Sequence, residues 1–405
     1  MKEEKKKTVY YAGLAAAACL MYALSAGLRS VYGIMLGTIA KETGIDYATV
    51  SFVIAVGQLV FGIMQPLFGI VALKRSNAFV LVAGFLMMGV GLAAIPFCAS
   101  KWMLMLFLGV LLPAGTGAVS FGIILGAIIP KLGERRGAVA SGFINASSGL
   151  GSIILSPALQ QLFASVGFTV TMSFMGALCV ILIPIAIWAS VENKRDTQTA
   201  PSNPIAGGVG VLLKNAVCGR NYQYLMIGFF TCGFHMAIIE THLYSQIVSY
   251  QIEEAWAAIA YSVYGVAVMA GALGSGFLCS KFKMKNVLGG LYGSRTFIVL
   301  AFLLLPKTLP IVLGIAVLLG LTSAATVVPT AGLVSKEFGS QTLGTLFGFV
   351  FLCHQLGSFF SAWLGGVCLS VTGNYVVIWC ASAVLCLLAS VVSFRITESS
   401  QPVSK

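Results

Sequence analysis

Charged side chains are scarce in this sequence of 405 residues. Asp, Glu, Lys and Arg together make up 9% of the chain, whereas hydrophobic residues make up 58%. A water-soluble fold of this size needs far less apolar surface, so the composition excludes a soluble globular protein. The chain also has only 12 acidic residues and three histidines. Because ionisable groups are this rare, each one inside an apolar run is a candidate for function.

Sequence motifs of enzymes and metal sites are missing as well. The chain has no phosphate-binding loop, nucleophile triad or metal-ligand spacing, which argues against an ATP-driven pump and against a membrane enzyme. Its ten cysteines form no CxxC pair and, apart from Cys218, lie in or beside apolar runs. That distribution is typical of small packing residues rather than of disulfides or zinc ligands. We therefore expect no enzymatic activity, no cofactor and no bound metal.

Long apolar runs fill most of the chain instead. About 20 apolar residues suffice to cross a bilayer as a helix, and twelve such runs occur, near residues 10–38, 48–73, 78–98, 102–129, 137–163, 168–190, 222–250, 255–280, 286–306, 309–335, 341–369 and 372–395. The alternating segments of about ten residues that mark a transmembrane β-barrel are absent. The sequence thus predicts an all-α polytopic protein whose twelve transmembrane helices are embedded in the lipid bilayer.

The basic residues between these runs predict the topology. The first run follows MKEEKKK, is too long for a signal-peptide core and has no evident cleavage site, so we expect it to be retained. With a cytoplasmic N-terminus, nineteen of the 24 Lys and Arg residues fall on the cytoplasmic side. The positive-inside rule then places both termini in the cytoplasm of a multi-pass plasma (inner) membrane protein. The net charge of +12 follows from the same loops, so we expect no nucleic-acid partner.

The longest polar break divides the chain into two halves. Residues 191–221 include ENKRDTQTAPSNP and are typical of a flexible cytoplasmic linker between bundles 1–190 and 222–405. The halves repeat one another weakly, since Gly27-Leu28-Arg29 aligns with Gly233-Phe234-His235 at a shift of 206 residues. Such a repeat predicts two pseudo-symmetric six-helix bundles with a binding site at their interface, near mid-membrane.

The most unusual stretch is 229–244, FFTCGFHMAIIETHLY, inside the seventh run. It contains His235, Glu240 and His242, which are two of the three histidines and the only carboxylate expected at membrane depth. Ionisable groups there usually mark a substrate or proton pathway. In a regular helix, residues seven apart lie about 20° from eclipsed. We therefore expect the two histidines to share a face and Glu240 to point about 140° away from His235.

Several longer motifs carry a family resemblance. They are GLRSVYGIMLGTIAKETG in helix 1, QPLFG in helix 2, ERRGAVASG before helix 5, CGFHMAIIETHL in helix 7 and FLCHQLGSFFSAWLGG in helix 11. With the six-plus-six arrangement, they resemble the major facilitator superfamily and, within it, bacterial members of the monocarboxylate-porter and oxalate–formate-antiporter branch. The resemblance implies alternating access with helix 1 in the cavity wall. The chain departs from relatives that use an Arg in helix 8 or a Lys in helix 11 on carboxylates; His354 occupies the middle of helix 11 instead.

Arg29 is the main substrate-binding candidate. It lies just outward of the centre of helix 1, and its planar fork of donors matches a carboxylate. Tyr32 and Tyr22, at i+3 and i−7, share its face and could donate hydroxyls or simply pack. Glu240 could carry a coupling proton or serve as a fixed counter-ion to Arg29, and we slightly favour the counter-ion.

The other candidates lie on other helices. His235 and His354 are expected near mid-membrane on helices 7 and 11, where each could bind substrate, carry a coupling proton or pack as a neutral, hydrogen-bonded residue. Three mid-helix amides complete the substrate-binding set, namely Gln58, Asn145 and Gln355. In helix 9, Arg295 is expected to snorkel or to pair structurally.

The charge balance at membrane depth suggests the substrate. With neutral histidines, Arg29, Arg295 and Glu240 leave one unbalanced positive charge, which an anionic ligand would relieve. We therefore predict a secondary active transporter for a small organic anion, a monocarboxylate or dicarboxylate, working as a monomer by alternating access, with protons as candidate coupling ions. Symport, antiport (exchange) and uniport all stay open. The alternatives are efflux of hydrophobic drugs and a transporter-like sensor that binds ligand without moving it.

Overall fold

The computed structural model describes residues 2–132, 134–190, 208–338 and 343–398. These residues are almost entirely helical and contain no β-strand. Twelve of their helices are long and apolar enough to cross a membrane, which confirms the predicted fold class. Labelled α1 to α12 in chain order, the spanning segments are Val9–Ser30, Tyr47–Ala72, Asn77–Phe97, Lys101–Ile128, Gly142–Val166, Phe168–Ser190, Arg220–Ser249, Glu254–Lys281, Met284–Leu304, Leu309–Phe338, Leu346–Thr372 and Val376–Phe394.

The helix predicted over residues 10–38 is interrupted close to Arg29 and Ser30. A turn at Val31 separates the helix Lys2–Ser30 from a second helix, Tyr32–Thr43. The next helix, α2, begins where the Asp46 carboxylate accepts a hydrogen bond from the Thr49 backbone N–H at 2.9 Å, as expected of an N-cap. This bonding to Thr49 holds the pKa of the Asp46 carboxyl below its usual value.

The predicted linker is partly helical. Residues 191–207 lie outside the described residues, but Gly208–Cys218 forms a helix that ends just before α7 begins at Arg220. The apolar residues of the segment GVGVLLKNAVC are spaced over three helical turns. This helical pattern was overlooked because the segment follows a strongly polar stretch. Residues 208–218 of the predicted flexible linker therefore form a helix.

Helix pairing repeats between the two halves. In the first half α1 crosses α5, and in the second half α7 crosses α11. A Cβ at Gly27 would lie 2.7 Å from the Gly151 Cα, so the first crossing requires glycine. The second crossing is as tight, because Cβ atoms at Gly233 and Gly357 would collide with the backbone of the facing helix. Both glycines of the first crossing recur 206 residues later, which is the predicted repeat.

The two bundles meet along two seams, α2 against α11 and α5 against α8. Basic turns follow α2 and α8, and we call the end that carries them, with Lys74 and Lys281, the basic end. Seven hydrogen bonds between described residues join the bundles, and all lie between mid-depth and the opposite end. The bundles are thus held together on the side away from the basic turns.

Glycines on the seam helices show where the bundles separate. Toward the opposite end, a Cβ at Gly62 would lie 2.6 Å from Gln355, and one at Gly366 would lie 2.5 Å from Ser51. At the basic ends of these helices Gly69, Gly142, Gly274, Gly276 and Gly348 show no such contact, since an added Cβ would meet nothing within 4 Å. The tight contacts and the hydrogen bonds between the bundles thus lie from mid-depth toward the opposite end.

Candidate functional site

Arg29 lies at the bundle interface, near the end of α1. Its side chain is half-buried, and its guanidinium carbon sits 3.6 Å above the centroid of the Phe61 ring of α2. Among the residues that the structure describes, Arg29 has no hydrogen-bond or ion-pair partner, and its Nε is fully buried in this state. A permanently charged side chain stacked on an aromatic ring, with its donors free, is prepared to receive an anion.

An aromatic wall connects Arg29 with His354. The Phe61 ring packs edge-on against Phe351 of α11, with centroids 6.3 Å apart. Phe351 in turn stacks on the His354 imidazole, at 5.4 Å and an interplanar angle of 3°. Phe229 of α7 covers the imidazole at 5.2 Å. Arg29 and His354 therefore approach the same phenylalanine pair from opposite bundles.

The two glutamines form a link between bundles. Gln355 of α11 is fully buried and donates from Nε2 to the backbone carbonyl of Gln58 in α2, at 2.9 Å. Its Oε1 lies 2.8 Å from Nδ1 of His354. The Gln58 amide nitrogen is buried without a partner. Gln355 thus positions His354 and holds the seam, while Gln58 keeps a free donor near the wall.

Glu240 lies in a π-helical turn, Ile239–Leu243, within α7. The carboxylate is 8% exposed and, within the described part of the chain, makes no hydrogen bond or ion pair. Arg29 is close enough for an electrostatic interaction with it but not for contact. The fixed Arg29–Glu240 contact that we slightly favoured from the sequence is therefore not formed in this state.

His235 has the packed, hydrogen-bonded position that was one of its alternatives from the sequence. It is 0% exposed, its Nδ1 lies 2.9 Å from the Ser382 hydroxyl of α12, and its ring packs edge-on against Trp379. Its side chain thus points into the second bundle, away from Arg29. His242 bonds Tyr47 of the first bundle through Nδ1 at 3.1 Å, and its Nε2 donates to the Ala362 carbonyl of the second bundle at 2.8 Å.

The two histidines contact the same side of the α12 segment. The His235 ring packs against Trp379 and the His242 ring against Tyr375, four residues earlier. Between the two histidines the helix passes through the π-turn, whose hydrogen bonds span one residue more than those of an α-helix. An acidic and a basic residue two positions apart at membrane depth were the available sequence signal for this irregular turn.

The remaining candidates surround Arg29 at greater distance. Tyr22 packs on Phe121, with ring centroids 5.6 Å apart, and lies within electrostatic range of Arg29. Tyr32 is 3% exposed and within the same range of Arg29. Asn145 of α5 is half-buried, and its side-chain amide has no hydrogen bond to the described residues. These three side chains stay candidates for a wider substrate shell.

Sequence reasoning missed the phenylalanines of the wall. Phe61 shares a face of α2 with Gln58 and Gln65, which lie three residues before and four after it. An aromatic ring between two amides on one helix face was the signal that could have identified it. Phe351 precedes His354 by three residues on α11 and is placed over the imidazole by the same periodicity.

Two six-helix bundles meet at an interface that holds a cation without an ion-pair partner among the described residues, an arrangement that fits a membrane transporter of the two-bundle class. The sequence model of the Major Facilitator Superfamily matches residues 18–362, and the chain belongs to this family. It is accordingly an integral, multi-pass membrane transporter and not an enzyme.

Relatives and solved structures agree with this assignment. The uncharacterized MFS-type transporter YcxA of Bacillus subtilis (strain 168) is 22% identical over 360 residues, covering 86% of this chain and 85% of YcxA. Human monocarboxylate transporter 12 is 23% identical over 362 residues, covering 82% and 69% of the two chains. The crystal structure of a point mutant of the nucleoside transporter NupG superposes with a TM-score of 0.77 at 15% identity, over 95% and 99% of the chains.

Proposed function

We propose that the protein is a secondary active transporter of small organic monocarboxylates and that Arg29 binds the carboxylate. The observation that carries this proposal is the guanidinium without a partner, half-buried at the interface and stacked on Phe61. A bidentate carboxylate would occupy its free donors and compensate its charge. The names of relatives such as monocarboxylate transporter 12 support the same class of substrate.

Arg29 is the one intramembrane cation at the bundle interface among the described residues, which favours a monocarboxylate over a dicarboxylate. The second intramembrane arginine, Arg295, is 0% exposed and directed at backbone carbonyls of α10. Beyond Arg29, the wall presents the phenyl rings of Phe61, Phe351 and Phe229. A second carboxylate would lie against these rings without a cation, whereas a short apolar tail would be well accommodated there.

Alternating access would exchange the open and closed ends of the interface. The positive-inside rule assigns the basic end to the cytoplasm, together with both termini, and favours the plasma membrane as the location. In that orientation the structure corresponds to a state open to the cytoplasm. Outward opening would then require the seven hydrogen bonds near the opposite end to break.

Glu240 is the proton carrier that we favour. Because Arg295 lies inside the second bundle, the charges at the bundle interface are those of Arg29 and an ionised Glu240, which sum to zero before substrate binds. A bound carboxylate adds one negative charge, and a proton on Glu240 restores neutrality before the charge crosses the low-dielectric core. His354, which also lies beside the wall, is the second candidate; His235 is removed from this role by its position against Ser382.

Uptake of labelled monocarboxylates into proteoliposomes tests this function. We expect Arg29→Ala to abolish uptake and Arg29→Lys to retain a small part of it, because the ammonium cannot form the bidentate contact. Arg75→Ala is the matched control, since Arg75 also lies over a phenylalanine, Phe79 at 5.7 Å, but is exposed at the basic end. Near-normal uptake by Arg29→Ala would contradict the proposal, as would equal loss in the control.

A further inference from the structure

The π-turn that carries Glu240 is bridged by a tyrosine from the neighbouring helix. In a regular α-helix the backbone N–H of Tyr244 would donate to the carbonyl of Glu240, four residues earlier. Here it donates to the hydroxyl of Tyr261 in α8, at 3.3 Å, and that hydroxyl donates to the carbonyl of Ile239. Ile239 lies five residues before Tyr244, which is the spacing that a π-turn joins. The Tyr261 hydroxyl is thus inserted into the hydrogen-bond ladder of α7 at this turn.

The first bundle packs against this bridge. Gly33 follows the break at Val31, and a Cβ there would lie 2.7 Å from the Tyr261 hydroxyl and 3.0 Å from the Glu240 carbonyl oxygen. Tyr261 is 1% exposed, and the Tyr244 ring packs edge-on against its ring, with centroids 6.4 Å apart. The hydroxyl is therefore fixed between the two bundles, where water does not compete for its hydrogen bonds.

We propose that Tyr261 is a positioning residue for Glu240. Its hydroxyl stabilises the π-turn, and the π-turn sets the direction in which the carboxylate points. Without the bridge the turn would be free to relax to a regular helix, which rotates α7 on one side of the turn by about 100°, the angle of one residue. The role of Tyr261 rests on the proposed function, in which Glu240 carries the coupling proton and is free of a fixed contact with Arg29.

Titratable and charged groups on the helices around the π-turn act on the same carboxylate. They are Tyr22, Arg29 and Tyr32 in the first bundle and Cys232, Tyr264 and His354 in the second. Arg29 is the permanent cation of this group.

Tyr264 is the matched control for Tyr261. It lies three residues further along α8 and is 3% exposed, but its hydroxyl bonds the Ser323 hydroxyl of α10 at 2.8 Å. Tyr264→Phe therefore removes a buried hydroxyl from the same helix and leaves the bridge to the π-turn in place.

The coupling of uptake to the proton gradient tests the positioning role. Each neutral hydrogen bond contributes about fivefold to an equilibrium constant, so the loss of two in Tyr261→Phe should favour relaxation of the π-turn by about thirtyfold. In proteoliposomes, Tyr261→Phe should lose most of the acceleration of uptake by an inward proton gradient, while exchange of internal for external substrate continues. Tyr264→Phe should keep the acceleration. Normal acceleration in Tyr261→Phe together with its loss in Glu240→Gln, or equal loss in the two tyrosine variants, would overturn the proposal.

An infrared measurement separates the positioning role from the proposed function. The carbonyl-stretch band of the protonated Glu240 carboxyl, identified by its absence in Glu240→Gln, depends on the surroundings of this group. The band should shift in Tyr261→Phe and stay in place in Tyr264→Phe, whether or not Glu240 carries the transported proton. A shifted band together with normal coupling in Glu240→Gln would support the positioning role and contradict Glu240 as the proton carrier. An unshifted band in Tyr261→Phe would contradict the positioning role alone.

Discussion

The seam between α5 and α8 offers a quantitative test of alternating access. Ser156 Oγ donates to the Ala258 carbonyl at 2.6 Å, and Ser262 Oγ donates to the Ile153 carbonyl at 3.1 Å. Replacing both serines with alanine removes two neutral hydrogen bonds, each contributing about 1 kcal/mol net. The Ala258 carbonyl keeps its helical bond from the backbone N–H of Ser262. The residue four positions after Ile153 is Pro157, which has no N–H, so Ser262→Ala also leaves the Ile153 carbonyl without a donor, at a cost of about 1–3 kcal/mol. The double variant should therefore shift the equilibrium by about 2 kcal/mol or more, at least about thirtyfold, toward opening at the opposite end.

Hydrogen–deuterium exchange mass spectrometry in lipid nanodiscs would measure this shift. Peptides covering 149–160 and 254–265 should take up deuterium faster in the double variant, while peptides from the basic ends of α5 and α8 should become more protected. Ser165→Ala is the matched control, because Ser165 donates within its own helix, to Gln161. Unchanged exchange in the double variant, or an equal change in the control, would refute the argument that these bonds close the seam.

Two further predictions concern coupling and topology. Glu240→Gln should remove the acceleration of uptake by an inward proton gradient while leaving exchange of internal for external substrate intact, and the exposed Glu253→Gln is the control. If the gradient dependence survives in Glu240→Gln but disappears in His354→Gln, the histidine carries the proton instead. Cysteines introduced at Lys101 or Lys307 should react with impermeant reagents from outside, whereas one at Lys283 should react only from the cytoplasm, and outside labelling at 283 would reverse the orientation.

The helical architecture could be predicted from sequence because it depends on short-range properties. Runs of apolar residues locate the spans, and the 206-residue shift that relates Gly27 to Gly233 also relates Gly151 to Gly357 at the symmetric crossing. Hydropathy and glycine spacing carry this information directly. The break at Val31 and the helix Gly208–Cys218 were not predicted, because polar neighbours and apolar runs mask local helix ends.

The site was only partly predictable, because it depends on side-chain direction across helices. Arg29 could be selected by its charge at membrane depth, but its lack of a partner follows from the position of Glu240 in a π-turn. His235, the symmetry mate of Arg29, was expected to bind substrate, to carry a proton or to pack as a neutral residue, and the structure buries it against Ser382. Symmetry relates backbones, and side chains at equivalent positions need not share an environment.

The crossing of α1 and α5 has a mechanical consequence for the transport cycle. Arg29 lies two residues from Gly27, which is locked against Gly151, and Gly151 lies two residues from Ile153, which accepts the seam hydrogen bond from Ser262. Because the two backbones are in contact at this crossing, α1 cannot move far without moving α5. If an anion bound to Arg29 displaces α1, α5 should therefore be displaced as well. Binding of an anion at Arg29 would thereby shift the seam between α5 and α8, although this seam lies one helix away from the site.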